Sequence, residues 1–202
     1  DNFEWNLEYR MSTLELKELS HPSGEVIKIA SGKTLDLKTQ GSVTMPTGSV
    51  LQVQHAVLTT IYASTVANTW LDINNLVINV TPVSTSSKIH VSFNLNALVV
   101  DDNQRAAVRI IRDSTAIDVA TDTGNRTPSS SMFAGISDPA YHTQHLSNSA
   151  LDSPNTTNQV TYKVQVRCEN TTEIKINQQD NDSNDVSHFR AVSTMTLMEI
   201  QG

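Results

Sequence analysis

The sequence is poor in several residue types on which other kinds of protein depend. Its 202 residues include one cysteine, seven glycines and six prolines, and only 17% are charged and 5% aromatic. The single cysteine, Cys168, excludes an intrachain disulfide and a cysteine-ligated zinc site. The net charge of −7 argues against a protein that tracks nucleic-acid phosphates, which needs clustered lysine and arginine. No apolar run is long enough to span a bilayer, so we expect neither nucleic acid nor membrane insertion.

With so few charges, the polar surface must come from Ser, Thr, Asn and Gln, a balance typical of β-rich extracellular and virion proteins. The length suits one or two domains. Residues 1–10 have neither the basic start nor the apolar stretch of a secretory signal. Since Met11-Ser12-Thr13-Leu14 looks like a translation start, whether residues 1–10 are native stays open.

Glycines recur at short intervals near the N-terminus, and an apolar pair spaced by two follows each of them. The glycines are Gly24, Gly32, Gly41 and Gly48, and the pairs are Ile27/Ile29, Leu35/Leu37, Val43/Met45 and Leu51/Val53. This alternation is the period of a strand with one buried face, and glycine supplies the positive φ of a tight turn. One strand of about five residues cannot bury its face alone. We therefore predict that several identical chains wind together into a shaft over residues 24–49.

The rest of the chain, residues 50–202, has the pattern of an antiparallel β-sandwich or jelly roll, which makes the predicted fold all-β. Val, Ile, Thr and Tyr dominate its strand-like runs, and turn-forming residues separate them. We predict strands at residues 50–62, 69–80, 88–100, 106–112, 115–120, 159–167, 173–178 and 189–200. Trp70 and Phe93 are expected in the core. Residues 121–158 are rich in Ser, Thr, Asn and Pro, so we expect a long loop with short strands there.

Motifs for catalysis or for metal binding are missing or incomplete. The sequence has no Gly-x-Ser-x-Gly, phosphate-binding loop or His-Glu-x-x-His. His142 and His145 lack a third nearby ligand. Residues 180–185 resemble the start of a calcium loop, but that loop needs glycine at its sixth position and glutamate at its twelfth, which is Ala191. We predict no enzyme, catalytic residue, metal or cofactor, although a site assembled from distant residues or from several chains stays open.

The long loop region offers the residue types that grip a sugar or a protein receptor. It carries an aromatic ring together with amide, imidazole and guanidinium groups. We predict the receptor-binding residues to be Asn125, Arg126, Tyr141 and His142.

Several segments resemble tail-fibre and appendage proteins of tailed phages, especially marine ones. They are Met11-Ser12-Thr13-Leu14, the runs at residues 30–37 and 41–53, Trp70-Leu71-Asp72-Ile73, residues 81–89, Arg112-Asp113-Ser114-Thr115 and residues 193–200. The resemblance covers about residues 11–200. It implies a homotrimeric virion fibre or spike with a narrow shaft, a head similar to tumour-necrosis-factor-like jelly rolls, and a last strand near the three-fold axis.

This resemblance fixes the expected organisation and partners. Residues 1–23 would anchor the fibre to other virion proteins, residues 24–49 would form the shaft, and residues 50–202 would form the head. The expected trimer contacts are Ile27, Ile29, Leu35, Leu37, Val43 and Met45 in the shaft and Met195, Leu197 and Ile200 in the head. The head would bind a host-surface glycan or protein.

Two other functions share these sequence features. One is a capsid-attached head fibre or decoration protein without a receptor role, docked through residues 11–23. The other is a glycan-binding jelly roll unrelated to virions, which would be a monomer.

Overall fold

The computed structural model of this chain describes residues 31–33, 43, 45–170 and 173–202, and its strands form two antiparallel sheets. Residues Met45–Gly202 group into one compact unit. The predicted anchoring segment and the shaft residues Ile27, Ile29, Leu35 and Leu37 lie outside the described residues. Val43 and Met45 are described, and both side chains are exposed. Gly32 and Gly48 have φ angles of 74° and 88°, as the glycine turns predict.

Eleven strands are found in the described residues. They are β1 (Val50–Leu58), β2 (Tyr62–Ser64), β3 (Leu71–Val80), β4 (Lys88–Val99), β5 (Arg105–Arg112), β6 (Thr115–Ile117), β7 (Ser131–Ala134), β8 (Gln144–Asp152), β9 (Val160–Cys168), β10 (Ile174–Ile176) and β11 (Ser193–Ile200). All eight predicted strand regions contain a strand, and the first is divided into β1 and β2. The described residues contain no helix long and apolar enough to cross a membrane.

The chain order of the strands differs from their order in the sheets. In sheet A, β11 lies between β1 and β4, both β8 and β10 also pair with β4, and β2 pairs with β10. In sheet B, β9 lies between β3 and β5, and both β6 and β7 pair with β5. Every strand pair is antiparallel, as the alternating pattern predicted.

The core lies between the two sheets, because alternate residues of both point inward. β9 and β11 alternate without interruption between buried and half-buried residues. The largest fully buried side chains include Phe93, Ile89 and Leu95 on β4, Tyr162 on β9, Ile110 on β5 and Met195 and Leu197 on β11. One cluster joins the inward faces of both sheets, so the described domain is a β-sandwich.

The long region predicted as loop contains a full-length strand, β8. This nine-residue strand pairs with β4 from Gln144 to Asp152. Its buried positions include only Leu146 and Ala150, and serine, asparagine and histidine fill most of the others. Pairing with the central strand β4 therefore outweighs the weak intrinsic preference of these residues for a strand.

Three polar side chains join the two sheets at one end of the sandwich. The hydroxyl of Tyr162 on β9 donates a hydrogen bond of 2.7 Å to the carboxylate of Asp152 on β8. Arg112 on β5 donates to both oxygens of the same carboxylate, at 2.8 and 2.7 Å. Burial and the neighbouring Asp152 carboxylate raise the pKa of Tyr162 above its usual 10.0, so its hydroxyl remains a donor.

Asn177, just after β10, is a buried polar residue that connects three segments and is 1% exposed. Its side-chain nitrogen donates to the carbonyl oxygens of Leu58, at 2.7 Å, and Thr60, at 3.1 Å. Its side-chain oxygen accepts a 2.6 Å hydrogen bond from the hydroxyl of Ser193. Its φ of 67° lies in the left-handed region, which asparagine tolerates better than most residues. Asn177 thus holds the end of β1 and the start of β11 together.

Candidate functional site

The four predicted receptor-binding residues lie in two different parts of the surface. Asn125 and Arg126 are exposed in the segment between β6 and β7, and Arg126 borders a groove on the outward side of sheet B. Tyr141 and His142 are exposed between β7 and β8, where they lie beside residues 179–190. The structure therefore supplies two candidate sites instead of one.

The floor of the groove follows from strand register. On β5, Ala107 pairs with Arg167 of β9 on one side and with Met132 of β7 on the other. Cross-strand partners share one face of a sheet, so a short alanine lies between two long side chains. Arg126 and Thr127 close the groove from the preceding segment, and the groove encloses about 380 Å³. We call this the arginine groove.

The arginines of this groove differ in how their charges are balanced. Arg105, at its end, is paired with Glu169 at 3.2 Å. Arg167 instead donates to the hydroxyl of Thr127, at 3.2 Å, and to the amide oxygen of Asn68, at 3.0 Å.

Arg126 resembles Arg167 in having only a neutral partner. It donates to the backbone oxygen of Thr123 at 3.2 Å. Within the part of the chain that the structure describes, neither Arg126 nor Arg167 forms an ion pair with a carboxylate. Two guanidinium groups thus border one groove, and neither has an acidic partner among the residues that the structure describes.

The second site is formed by two adjoining loops. The backbone nitrogen of Asp180 donates to the oxygen of Pro139 at 3.2 Å, and the side chain of Gln179 donates to the oxygen of Tyr141 at 2.6 Å. The Tyr141 ring lies 6.2 Å, centroid to centroid, from that of His188. Sequence reasoning identified Tyr141 but not this neighbour. We call residues 138–143 and 179–190 the paired loops.

The aspartates of the paired loops do not converge on a common point. Asp180 accepts a hydrogen bond from Lys175 at 2.8 Å, Asp182 is paired with Arg190 at 2.6 Å, and Asp185 accepts from the Ser187 hydroxyl at 2.6 Å. The Arg190 hydrogen bond lowers the pKa of Asp182, and the Ser187 hydrogen bonds lower that of Asp185. No group of three or more His, Cys, Asp or Glu residues positioned for a metal ion occurs among the residues described. The acidic run is a turn whose carboxylates already have partners.

The two histidines considered as metal ligands lie in different kinds of secondary structure, one in a loop and one on a strand. His142 lies in the loop, where its ring hydrogen bonds to the backbone oxygen of Asp138 at 2.9 Å. His145 is an exposed residue of β8. Among the described residues, neither belongs to a group of three or more side chains that could hold a metal ion.

A third surface, the outward face of sheet A, carries apolar residues and almost no charge. Register places Val53 of β1, Met198 of β11, His90 of β4 and Leu151 of β8 in one row across four strands. Val53 and Leu151 are 57% and 63% exposed. The next rows are His55, Thr196, Ser92 and Ser149, and then Val57, Thr194, Asn94 and Ser147. None of these rows contains Asp, Glu, Lys or Arg.

The residues predicted as head trimer contacts divide between the two faces of β11. Met195 and Leu197 are 0% and 1% exposed and belong to the core of their own chain. Their side chains therefore have no surface to offer a partner, which corrects the prediction for these two residues. Ile200 is half-buried and lies on the same face as Met198. Any side-chain contact of β11 with another copy must therefore use the outward residues, which include Met198 and Ile200.

Trp70 also departs from its expected position, whereas Phe93 is buried in the core as predicted. Trp70 is half-buried, and the guanidinium carbon of Arg109 lies 4.2 Å from the centroid of its ring. This cation–π contact places the indole on the outward side of sheet B.

No protein-family model matches the chain, and no curated protein matches it significantly. The surfaces described above and the sequence resemblance are therefore the basis for the proposed function.

The residues of the arginine groove that sequence reasoning missed are Arg105, Met132 and Arg167. The alternation of β9 indicates that Lys163, Gln165 and Arg167 share a face, but it does not indicate which strand lies beside them. Only the register of β5 with β7 and β9 brings these distant residues to Arg126.

Proposed function

We propose that this chain is the subunit of a homotrimeric virion fibre or spike whose head attaches the particle to a host surface. The observation that carries the proposal is the outward face of sheet A, where three successive rows contain no Asp, Glu, Lys or Arg and the apolar side chains of Val53, Val57 and Leu151 are exposed. Contiguous exposed apolar surface typically marks an interaction site. Most soluble oligomers are symmetric assemblies of identical chains, so we propose that other copies of this chain cover this face.

The strand order supports the jelly-roll part of the proposal. The order β1-β11-β4-β8 opposite β3-β9-β5-β7 is that of an eight-stranded jelly roll with two Greek keys. The resemblance to phage appendage proteins implies such a head, with its last strand near the three-fold axis. β11 lies between β1 and β4 in sheet A, and its half-buried outward residues lie on the face that we propose meets other copies.

Attachment would then be multivalent. Each head would present three copies of the arginine groove and of the paired loops. When one site has bound, the others meet the same surface at high effective concentration, so weak sites together give firm attachment. The exposed loops on a rigid sandwich are suited to this role.

The assembly is tested by the solution mass of the full chain and of two matched variants. We expect light scattering to give three times the chain mass of 22.2 kDa. Val53→Asp places a charge in the apolar row and should lower this mass or make it concentration-dependent. Val186→Asp makes the same change at a side chain that is 98% exposed in the paired loops, and it should leave the mass unchanged.

A further pair of substitutions, Leu35→Asp with Val43→Asp, tests the predicted shaft. It should leave a folded head and loosen the trimer. A wild-type chain that is monomeric at all concentrations would refute the fibre proposal and would favour the glycan-binding monomer. An intact trimer in Val53→Asp would show that the apolar row is not the interface.

A further inference from the structure

We infer that the arginine groove binds an acidic saccharide, with a carboxylate or sulfate group held between Arg126 and Arg167. This inference rests on the proposed attachment function and gives its ligand class. Both guanidinium groups border one groove, and no described carboxylate pairs with either. Guanidinium groups bind carboxylate and sulfate oxygens through paired, charge-assisted hydrogen bonds. The carboxylate or sulfate of a bound ligand would accept these charge-assisted hydrogen bonds.

The charge of the groove stands out against the rest of the molecule. The chain carries a net charge of −7, and half of the described lysines and arginines form an ion pair with an acid, as Arg112 does with Asp152 and Arg190 with Asp182. Among the described residues that line the groove, Glu169 is the only acid, and it is paired with Arg105. The positive charge of the groove attracts an anionic ligand, and the net negative charge of the protein repels such a ligand from other surfaces.

The remaining lining suits a sugar. Thr127 and Ser129 offer hydroxyl groups that can both donate and accept hydrogen bonds to sugar hydroxyls. Met132 is 77% exposed and offers a flexible apolar surface to the C–H face of a pyranose ring. The described lining of the groove includes no aromatic side chain on which a base could stack, so a nucleic acid fits it poorly.

The groove also has room for more than a single small ion. Arg126, Thr127, Ser129 and Met132 border a second depression of about 510 Å³ that continues toward Ala120. Both volumes lie within the range of about 300–1,000 Å³ that is usual for small-ligand sites. A short oligosaccharide could therefore extend across the Arg126 side chain from one depression to the other.

The inference is tested by calorimetric titration of the full-length protein with defined probes. The probes are tetragalacturonic acid, a sulfated galactose tetrasaccharide, neutral galactotetraose and a glutamate tetrapeptide. We expect binding of one or both acidic saccharides, weakening as sodium chloride is raised because salt screens the charges. Binding of only one of them would identify the carboxylate or the sulfate as the anchoring group.

Matched variants assign the binding to the groove. Arg126→Gln and Arg167→Gln should each weaken acidic-saccharide binding about tenfold or more, since each removes charge-assisted hydrogen bonds. Lys33→Gln removes an exposed cation that belongs to neither candidate site, and it should leave binding unaltered. Arg126 is exposed and has one neutral hydrogen-bond partner, so its variant is expected to fold even if Arg167→Gln does not.

Several results would overturn the inference. They are equal binding of the neutral tetrasaccharide, tighter binding of the glutamate peptide, no acidic-saccharide binding, or unchanged binding by Arg126→Gln. The solution mass separates this failure from failure of the proposed function. A trimer that binds no acidic saccharide refutes only the ligand assignment, whereas a monomer refutes the proposed assembly whatever it binds.

Discussion

Asn177→Ala should be among the most destabilising single substitutions in the head. The change removes the amide donor to the Leu58 oxygen and the acceptor of the Ser193 hydroxyl, and both residues are almost fully buried. Each buried polar group that loses its partner costs about 1–3 kcal/mol. Alanine at a φ of 67° adds about 1 kcal/mol. We therefore expect a loss of about 3–7 kcal/mol in the free energy of unfolding.

The assay is urea denaturation at one fixed chain concentration, because association would make the apparent stability depend on concentration. Circular dichroism and tryptophan fluorescence report the transition. Asn177→Gly is the control, since it loses the same hydrogen bonds but accepts the left-handed backbone, so it should be about 1 kcal/mol more stable than Asn177→Ala. A loss below about 1 kcal/mol in Asn177→Ala would refute the hydrogen-bond argument.

Three other substitutions test β11 and sheet B. Met195→Ala should cost about 2–5 kcal/mol, because the side chain is fully buried in the core, whereas Met198→Ala should cost about 0.5 kcal/mol within one chain and should weaken association instead. Thermal denaturation with light scattering separates these effects, and equal destabilisation by both would contradict the assignment of faces. Burial acts to raise the pKa of Asp72, but hydrogen bonds from Lys163 and Gln165 lower it below 3.8. The stability that Asp72 contributes is present above pH 3.8 and is lost as the pH falls through the lower folded-state pKa, so acid unfolding of Asp72→Asn should lack this component.

The sequence predicted the positions of the strands better than it predicted which strands pair with each other. Alternation of apolar and polar residues located β4 and β9 because each has one face in the core and one outside. It failed for β8, whose inward positions are too sparse in large apolar residues to show a period. Pairing with β4 stabilises β8, and this partner is distant in the sequence.

β11 shows a second limit of the sequence pattern. Its two alternate sets, Met195 with Leu197 and Met198 with Ile200, are both apolar, so alternation cannot tell which set enters the core. The packing of Met195 against the other inward residues decides it. The arginine groove was partly predictable, since Arg126 was selected from the loop composition. Its partners Arg167 and Met132 were not, because only strand register brings them there.

The position of β11 has a consequence for how this protein is made. β1 and β4 both pair with β11, and the contact between Val50 and Ile200 spans almost the whole head. Contacts between residues so distant in the sequence form slowly, because a long loop must be closed first. Until the ribosome has released residues 193–200, β1 and β4 each lack a partner along one edge. Nascent chains with such open edges associate with one another. We therefore expect the yield of soluble protein to depend on rapid completion of this strand.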